Sequence, residues 1–420
     1  MKQKLTIAVI GAGDFANDFV ITFKAHPLVE KVYICDLIRS RAESYARLYG
    51  VEIIDSFEDA LKDKSINCIA IFVQRHLHYK LTKEALFAGK HVYSAVPMAT
   101  SVEECAEIID AVKKTGLTYM MGETCCYYPC SIYCRKKYSE GVFGKFIYGE
   151  AQYYHDLSHF PKTFLNDLSS AGIPPFYYAT HSISMILSAT KSRVEKIVAF
   201  GYEDREDDGV YEKGVNQWDN VFSNEFALMK LANGGTARIN ECRRIGYKAP
   251  SSYISAFYGT EGAYQFSNAQ HLLTTKTEKG VKLYDVSDEI NPIEMTRCKD
   301  IKDFSDFRGN DEWKYGFVSP QQGDKNFKEL VANHGWQHSF FSPQQDYKKL
   351  PKELDGIADA HMASHKFLVD EFCNAVYFNK TPAVNAWVAA RYTIPGLLAH
   401  ESAKQDGMPI TVPDFGDAPE

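Results

Sequence analysis

The almost wholly apolar run from Leu5 to Ile10, bounded by Lys4 and Gly11, constrains this chain more than any other feature. A run that short, without polar alternation, predicts a strand buried on both faces, as in parallel sheets. The theme then repeats. A helix-period stretch containing Phe15, Phe19, Val20 and Phe23 leads to the strand KVYICD at 31–36, the helix RSRAESYARLYG, a short strand at 51–53 and SFEDALKD. The strand CIAIFVQ at 68–74, the helix HYKLTKEALFAG, the strand KHVYSAV, the helix SVEECAEIIDAVKKTG and the strand LTYMMGE complete the series. Such alternation predicts an N-terminal α/β unit, a doubly wound parallel sheet of the Rossmann type over residues 1–122.

After Glu123 the pattern changes. Segments such as FIYGEAQYYHDL, NEFALMKLANGGTARINE and SSYISAFYGTEGAYQFS are β-branched, aromatic and alternating, with Gly-containing turns between them. They predict an α+β unit over 123–420 built on an open, mostly antiparallel sheet. Residues 290–355 lack a clear period and read as a functional excursion. Two closing helices are expected, near 357–376 and from about Asn385 to Ala403.

Composition narrows the function. Lys plus Arg number 47 against 54 Asp plus Glu, a net charge of −7 spread along 420 residues. That balance excludes a clustered basic surface for nucleic acid. No run of 18 apolar residues predicts a membrane span. The start MKQKLTIAVIGAG lacks a small-residue cleavage site and reads as a strand, not a signal peptide. Ten irregularly spaced cysteines do not form a disulfide framework, so the reducing cytoplasm is the expected compartment.

Gly11-x-Gly13-x-x-Ala16 follows the first strand and opens a helix, with Asp14 and Phe15 inside the turn. Backbone N–H groups there approach a pyrophosphate at the helix start. Asp36 ends the second strand, where an acid binds the adenosine ribose hydroxyls and disfavours a 2′-phosphate. The cofactor expected is NAD, although Arg39 and Arg41 stand near enough to accept that phosphate.

With GAGDFA, Asp36, His78 before KLTKEALFAGKHV and YGTEGAY at 258–264, the chain resembles the Gfo/Idh/MocA oxidoreductases. That family usually places a Glu-Lys-Pro motif where this chain has Ala95-Val96-Pro97, and valine cannot move a proton. A narrower likeness accounts for the change. VPMATSVEECAEIIDAVKKTG, YMMGETCCYY, YYHDL, YYATHS and VPDFG resemble glycoside hydrolase family 109 and its NAD-dependent relatives.

The resemblance implies hydride removal at sugar carbon 3, proton loss at carbon 2, elimination of the aglycone, water addition and return of the hydride. It implies that Tyr178, His181, His155 and Glu123 line the reacting sugar, with Tyr178 a candidate base. His78, Pro97, Glu123 and Tyr127 would border the cofactor, and Tyr127 and Tyr178 the substrate. A sugar or glycoside 3-dehydrogenase is the alternative, and a non-catalytic NAD-binding sensor a third reading. Partners are then a small sugar or glycoside and a second copy of the chain, as a homodimer or homotetramer.

Each residue also has a plainer reading: His181 as a helix cap, Tyr178 as packing, Glu123 as a solvated loop acid. Asp156 beside His155 could fix its tautomer. Cys126, Cys130 and Cys134 at i, i+4 and i+8 form one face of a helix starting near Pro129 rather than a zinc site. His361 and His365, at i and i+4, lack a completing HExxH motif, so no metal is expected. Arg243 and Arg244 are candidates for a sugar carboxylate or sulfonate, though strand alternation sends only one of them into a cleft.

Overall fold

The computed structural model describes residues 3–157, 167–246, 252–266, 271–278, 280–290, 344–355, 357, 361 and 364–419. Most of the expected excursion, 291–343, lies outside the described residues.

Strands β1 (Leu5–Ile10), β2 (Val29–Cys35), β3 (Glu52–Ile53), β4 (Cys68–Ile71), β5 (His91–Ser94) and β6 (Tyr119–Met121) pair in parallel, in the order β3-β2-β1-β4-β5-β6. Helices α1 (Asn17–Ala25), α2 (Arg39–Tyr49), α3 (Phe57–Lys62), α4 (His78–Phe87) and α5 (Val102–Thr115) connect them. The period of two in β1 explains its apolar run: Ala8 and Ile10 join one buried cluster, while Leu5, Ile7 and Val9 join another. Local chemistry sets the helix starts. The Ser101 hydroxyl accepts from Glu104 N at 3.1 Å, and the Glu104 carboxylate reaches back to Thr100 N at 2.9 Å, in the manner of a capping box. The strand order reverses between β1 and β4, which opens a crevice at the carboxyl edge.

The second sheet has nine strands: β7 (Phe146–Tyr154), β8 (Val194–Glu203), β9 (Phe222–Leu231), β10 (Thr236–Cys242), β11 (Ser252–Gly259), β12 (Gly262–Phe266), β13 (His271–Thr277), β14 (Gly280–Asp285) and β15 (Ile410–Thr411). Their order is β14-β13-β12-β11-β7-β10-β9-β8-β15. Only β7 and β10 run parallel to each other. One face is covered by α6 (Pro129–Ser139), α7 (Thr180–Thr190) and α9 (Ala386–Lys404); α8 (His365–Phe378) instead packs on α1. Every residue of α7 is buried. Among the described residues, no helix is long and apolar enough to cross a membrane.

Two expectations need correction. The helix expected from 357 begins at His365, because His361 takes a left-handed conformation with φ +47°. That reversal packs the His361 ring on Phe15 at 5.4 Å, a tertiary contact that overrides the helical period. Cys126 falls in a 3₁₀ turn before α6, so only Cys130 and Cys134 ride on that helix, both buried.

The turn Pro175–Tyr178 is held from two sides. Glu225 on β9 accepts from Phe176 N at 2.8 Å and pairs with Nδ1 of His400 on α9 at 2.7 Å. A Cβ on Gly396 of α9 would lie 2.3 Å from the Phe176 carbonyl oxygen, so only glycine lets the helix approach the turn. Overpacking of this kind costs about 1–3 kcal/mol. Gly396→Ala should therefore lower stability by about that amount in urea unfolding, with an unchanged m-value; full stability would show that the turn yields freely.

Candidate active site

The glycine loop sits at the carboxyl edge of β1. Gly11 has φ +100°, and a Cβ there would lie 2.1 Å from the Phe72 carbonyl oxygen. Gly13 is different: a Cβ there would meet nothing within 4 Å, so the space before it is open. An opening over backbone at a helix start fits a pyrophosphate. Asp14 and Ala16 form the 3₁₀ turn that leads into α1, and Phe15 packs on Phe19 and Phe72. Asp36 accepts from Ala12 N and Ile38 N, each at 2.7 Å. A carboxylate has about four acceptor positions, so Asp36 braces the loop and keeps capacity for ribose hydroxyls. Arg39 is engaged by Asp55 at 2.5 Å.

His78 is buried, with Nδ1 2.8 Å from the Pro97 carbonyl and Nε2 3.1 Å from that of Val73. Burial pushes it down to about 4, and a neutral ring donates to only one of these two carbonyls. Tyr127 stacks on Phe367 at 5.9 Å and accepts from Gln345 Nε2 through its carbonyl.

Glu123 lies just past β6 and is fully buried. Its Oε1 accepts from Cys125 N at 2.9 Å and lies 2.7 Å from His181 Nδ1 at the start of α7. Its Oε2 has no hydrogen-bond partner among the described residues, nor has His181 Nε2. A neutral His181 then donates from Nδ1 and keeps Nε2 as an acceptor. The Tyr153 hydroxyl meets His155 Nδ1 at 2.6 Å, so tyrosine holds that nitrogen; the Asp156 carboxylate accepts from Ile245 N. The rings of Tyr153 and Tyr178 are nearly parallel, 15° apart with centroids 6.0 Å apart, and both lie against His181.

The Tyr178 oxygen accepts from Nε of Arg75 at 3.2 Å and also from its Nη2. Arg243 lies 4.9 Å from the Tyr153 ring and 5.2 Å from the Tyr178 ring. Its neighbour Arg244 is occupied elsewhere, pairing with Asp204 at 3.2 Å and Asp208 at 2.6 Å. His361 connects this cluster to the glycine loop: its ring touches Phe15, and burial holds it well below its ordinary range.

The structure thus gathers Glu123, His155, Tyr178, His181 and Arg243, and leaves Arg244 aside. Sequence reasoning missed Arg75, Tyr153 and Glu241. Tyr153 and Glu241 were accessible to it, since each stands two residues before a chosen residue on the same strand face. Arg75 follows β4 at the carboxyl edge, where ligands bind in such sheets.

The ligand atoms of Glu123, Cys125 and His181 fall within 4.8 Å of one another. As a metal set they fit poorly. Glu123 and His181 are bonded to each other, and burial pushes the Cys125 thiol well above its ordinary value, against the thiolate a metal needs.

Residues 5–123 match the model of the oxidoreductase family with an NAD-binding Rossmann fold, Gfo/Idh/MocA. A glycosyl hydrolase family 109 protein of Shewanella sp. (strain ANA-3) is 29% identical over 165 residues, 37% of this chain and 36% of that protein. The match thus spans about a third of the relative's length. Trans-1,2-dihydrobenzene-1,2-diol dehydrogenase of Mus musculus is 28% identical over 199 residues, 46% of this chain and 59% of that protein. The fold is similar to a levoglucosan dehydrogenase solved with NADH and levoglucosan: TM-score 0.71, 18% identity, 98% of this chain and 100% of that one. The N-terminal unit is therefore an NAD-binding Rossmann fold.

The two glycines separate folding from binding. Gly13→Ala should unfold like the parent yet bind NADH about 10-fold or more weakly by nicotinamide fluorescence, since it loses close backbone approach. Gly11→Ala should lose stability outright, by about 1–3 kcal/mol. Equal NADH affinity in Gly13→Ala would remove the loop from the cofactor site.

Proposed function

We propose that this chain, whose residues 5–123 match the model of the Gfo/Idh/MocA oxidoreductase family, is an NAD-dependent enzyme that cleaves glycosides through transient oxidation at sugar carbon 3, elimination and water addition. The observation that carries this reading is the buried Glu123–His181 pair beside an Arg75-held Tyr178, at the edge where Val96 replaces the usual lysine. Proton transfer then falls to these groups. When bound, NAD supplies the acceptor for a substrate hydride and the donor that returns it.

Glu123 orients His181 through Nδ1, so that Nε2 takes or gives a proton, the division of labour of a base and its orienting acid. Arg75 fixes the Tyr178 oxygen as an acceptor and so sets the direction of its own hydrogen. Tyr153 does the same for His155. Buried on all sides, the Glu123–His181 pair excludes water from the proton it shares. A glycoside 3-dehydrogenase that stops at the ketone would use the same residues, and the experiment below distinguishes the two.

Aryl glycosides incubated with catalytic NAD should release the aglycone without net NADH, and deuterium from solvent should enter carbon 2 of the released sugar. Tyr178→Phe and His181→Ala should each lower kcat by about 10²–10⁴-fold. Stoichiometric NADH would make the protein a dehydrogenase, and neither product across a broad panel would leave a non-catalytic NAD binder.

Assembly belongs to the same proposal. Phe200, Phe226 and Leu228 stand exposed on the outer face of the nine-stranded sheet, with Phe200 opposite Phe226 across β8 and β9. An apolar face of this kind suits a second copy of the chain. Light scattering should find an oligomer that Leu228→Glu converts to monomers; a monomeric parent at micromolar concentration removes the idea.

A further inference from the structure

We propose that the site at Tyr178 recognises glycosides bearing a carboxylate, that is uronic acid sugars, through the guanidinium groups of Arg75 and Arg243. The inference rests on the reading of this cluster as the sugar site and names the class of sugar it takes.

Two arginines from different elements meet one ring. Arg75, from the loop after β4, lies 4.7 Å from the Tyr178 centroid, and Arg243, just past β10, lies 5.2 Å from it. Arg243 is 5% exposed, and its Nη1 has no hydrogen-bond acceptor among the described residues. The carboxylate that approaches it is Glu241, whose Oε2 is 3.9 Å from Nη2 and itself lacks a hydrogen-bond partner among the described residues. Burial pushes Glu241 well above the usual carboxylate range, against the pull of Arg243 toward its ionised form. Ser182 takes up its other oxygen at 2.5 Å. Glu123, the second acid of the cluster, is already bonded to His181.

The contrast with Arg244 is instructive. That neighbour satisfies its charge on two aspartates within the protein. Among the described residues, Arg243 is buried with only Glu241 near it, at 3.9 Å and without a hydrogen bond, a costly arrangement unless a further acceptor is supplied. A planar carboxylate matches guanidinium forks and accepts two parallel N–H bonds. The hydroxyls of a neutral sugar would leave the charge unmatched, and that penalty is the basis of discrimination.

The test is calorimetric. The NADH-loaded protein is titrated with phenyl glucuronides and galacturonides of both anomeric forms, and with the corresponding neutral glycosides. At least one acid should bind about 100-fold more tightly than its neutral counterpart, and Arg243→Met should abolish most of that advantage with little change for the neutral sugar. Arg75→Met should act in the same direction, and it carries the test if Arg243→Met does not fold. Equal or weaker affinity for every acid, or no binding of any acid, overturns the proposal. Acids bound tightly with neither aglycone nor NADH released would defeat the reaction reading and leave recognition standing. Turnover of neutral glycosides without an acid preference would do the reverse.

Discussion

The bond between Glu123 and His181 is the constraint around which the rest is arranged. A fully buried carboxylate is tolerable only when paired and hydrogen-bonded, and removal of one partner from such a pair typically costs about 3–5 kcal/mol. Glu123 belongs to the end of the parallel sheet, and His181 belongs to the helix that the nine-stranded sheet packs against. Their 2.7 Å contact therefore joins the two halves of the chain. The stacked tyrosines, and through Tyr178 the two arginines, take their positions around that joint.

Tyr178 shows how far the surrounding structure goes to hold one side chain. Its turn is gripped by Glu225 and His400, Gly396 brings α9 against its backbone, and Arg75 reaches its hydroxyl. The contacts come from β9, from α9 and from the loop after β4. A reactive group held in this way loses little entropy on reaching a productive geometry, which is what positioning contributes to catalysis.

The parallel sheet was legible because its signals are local. An apolar run, a glycine turn and an acid at the next strand end lie within about 30 residues, the span of one βαβ unit. Asp36 and the glycine loop were found in that way, and they meet in space through Ala12 N. The start of α8 was not legible: the helical period continues through His361, whose left-handed backbone instead sets its ring against Phe15 and His365. Within the site, Glu123 and His181 were recognisable individually, but their bond spans 58 residues of sequence. Arg75 and Tyr178 are 103 residues apart, and neither residue's local sequence hints at the other. Arg243 and Arg244 looked equivalent in sequence; the aspartates at 204 and 208 separate them.

The Arg75–Tyr178 bond has a consequence for energetics at a distance. Arg75 belongs to the first sheet, a few residues past β4, while Tyr178 belongs to the turn anchored on the second. Occupancy of one side that biases the position of either partner changes the free energy of occupancy on the other. Thermodynamic linkage makes such an effect mutual: whatever factor the dinucleotide applies to the affinity of the proposed sugar, the sugar must apply to dinucleotide affinity. On the proposed reading, this single side-chain contact is where the two affinities meet, each then defined only with the occupancy of the other stated.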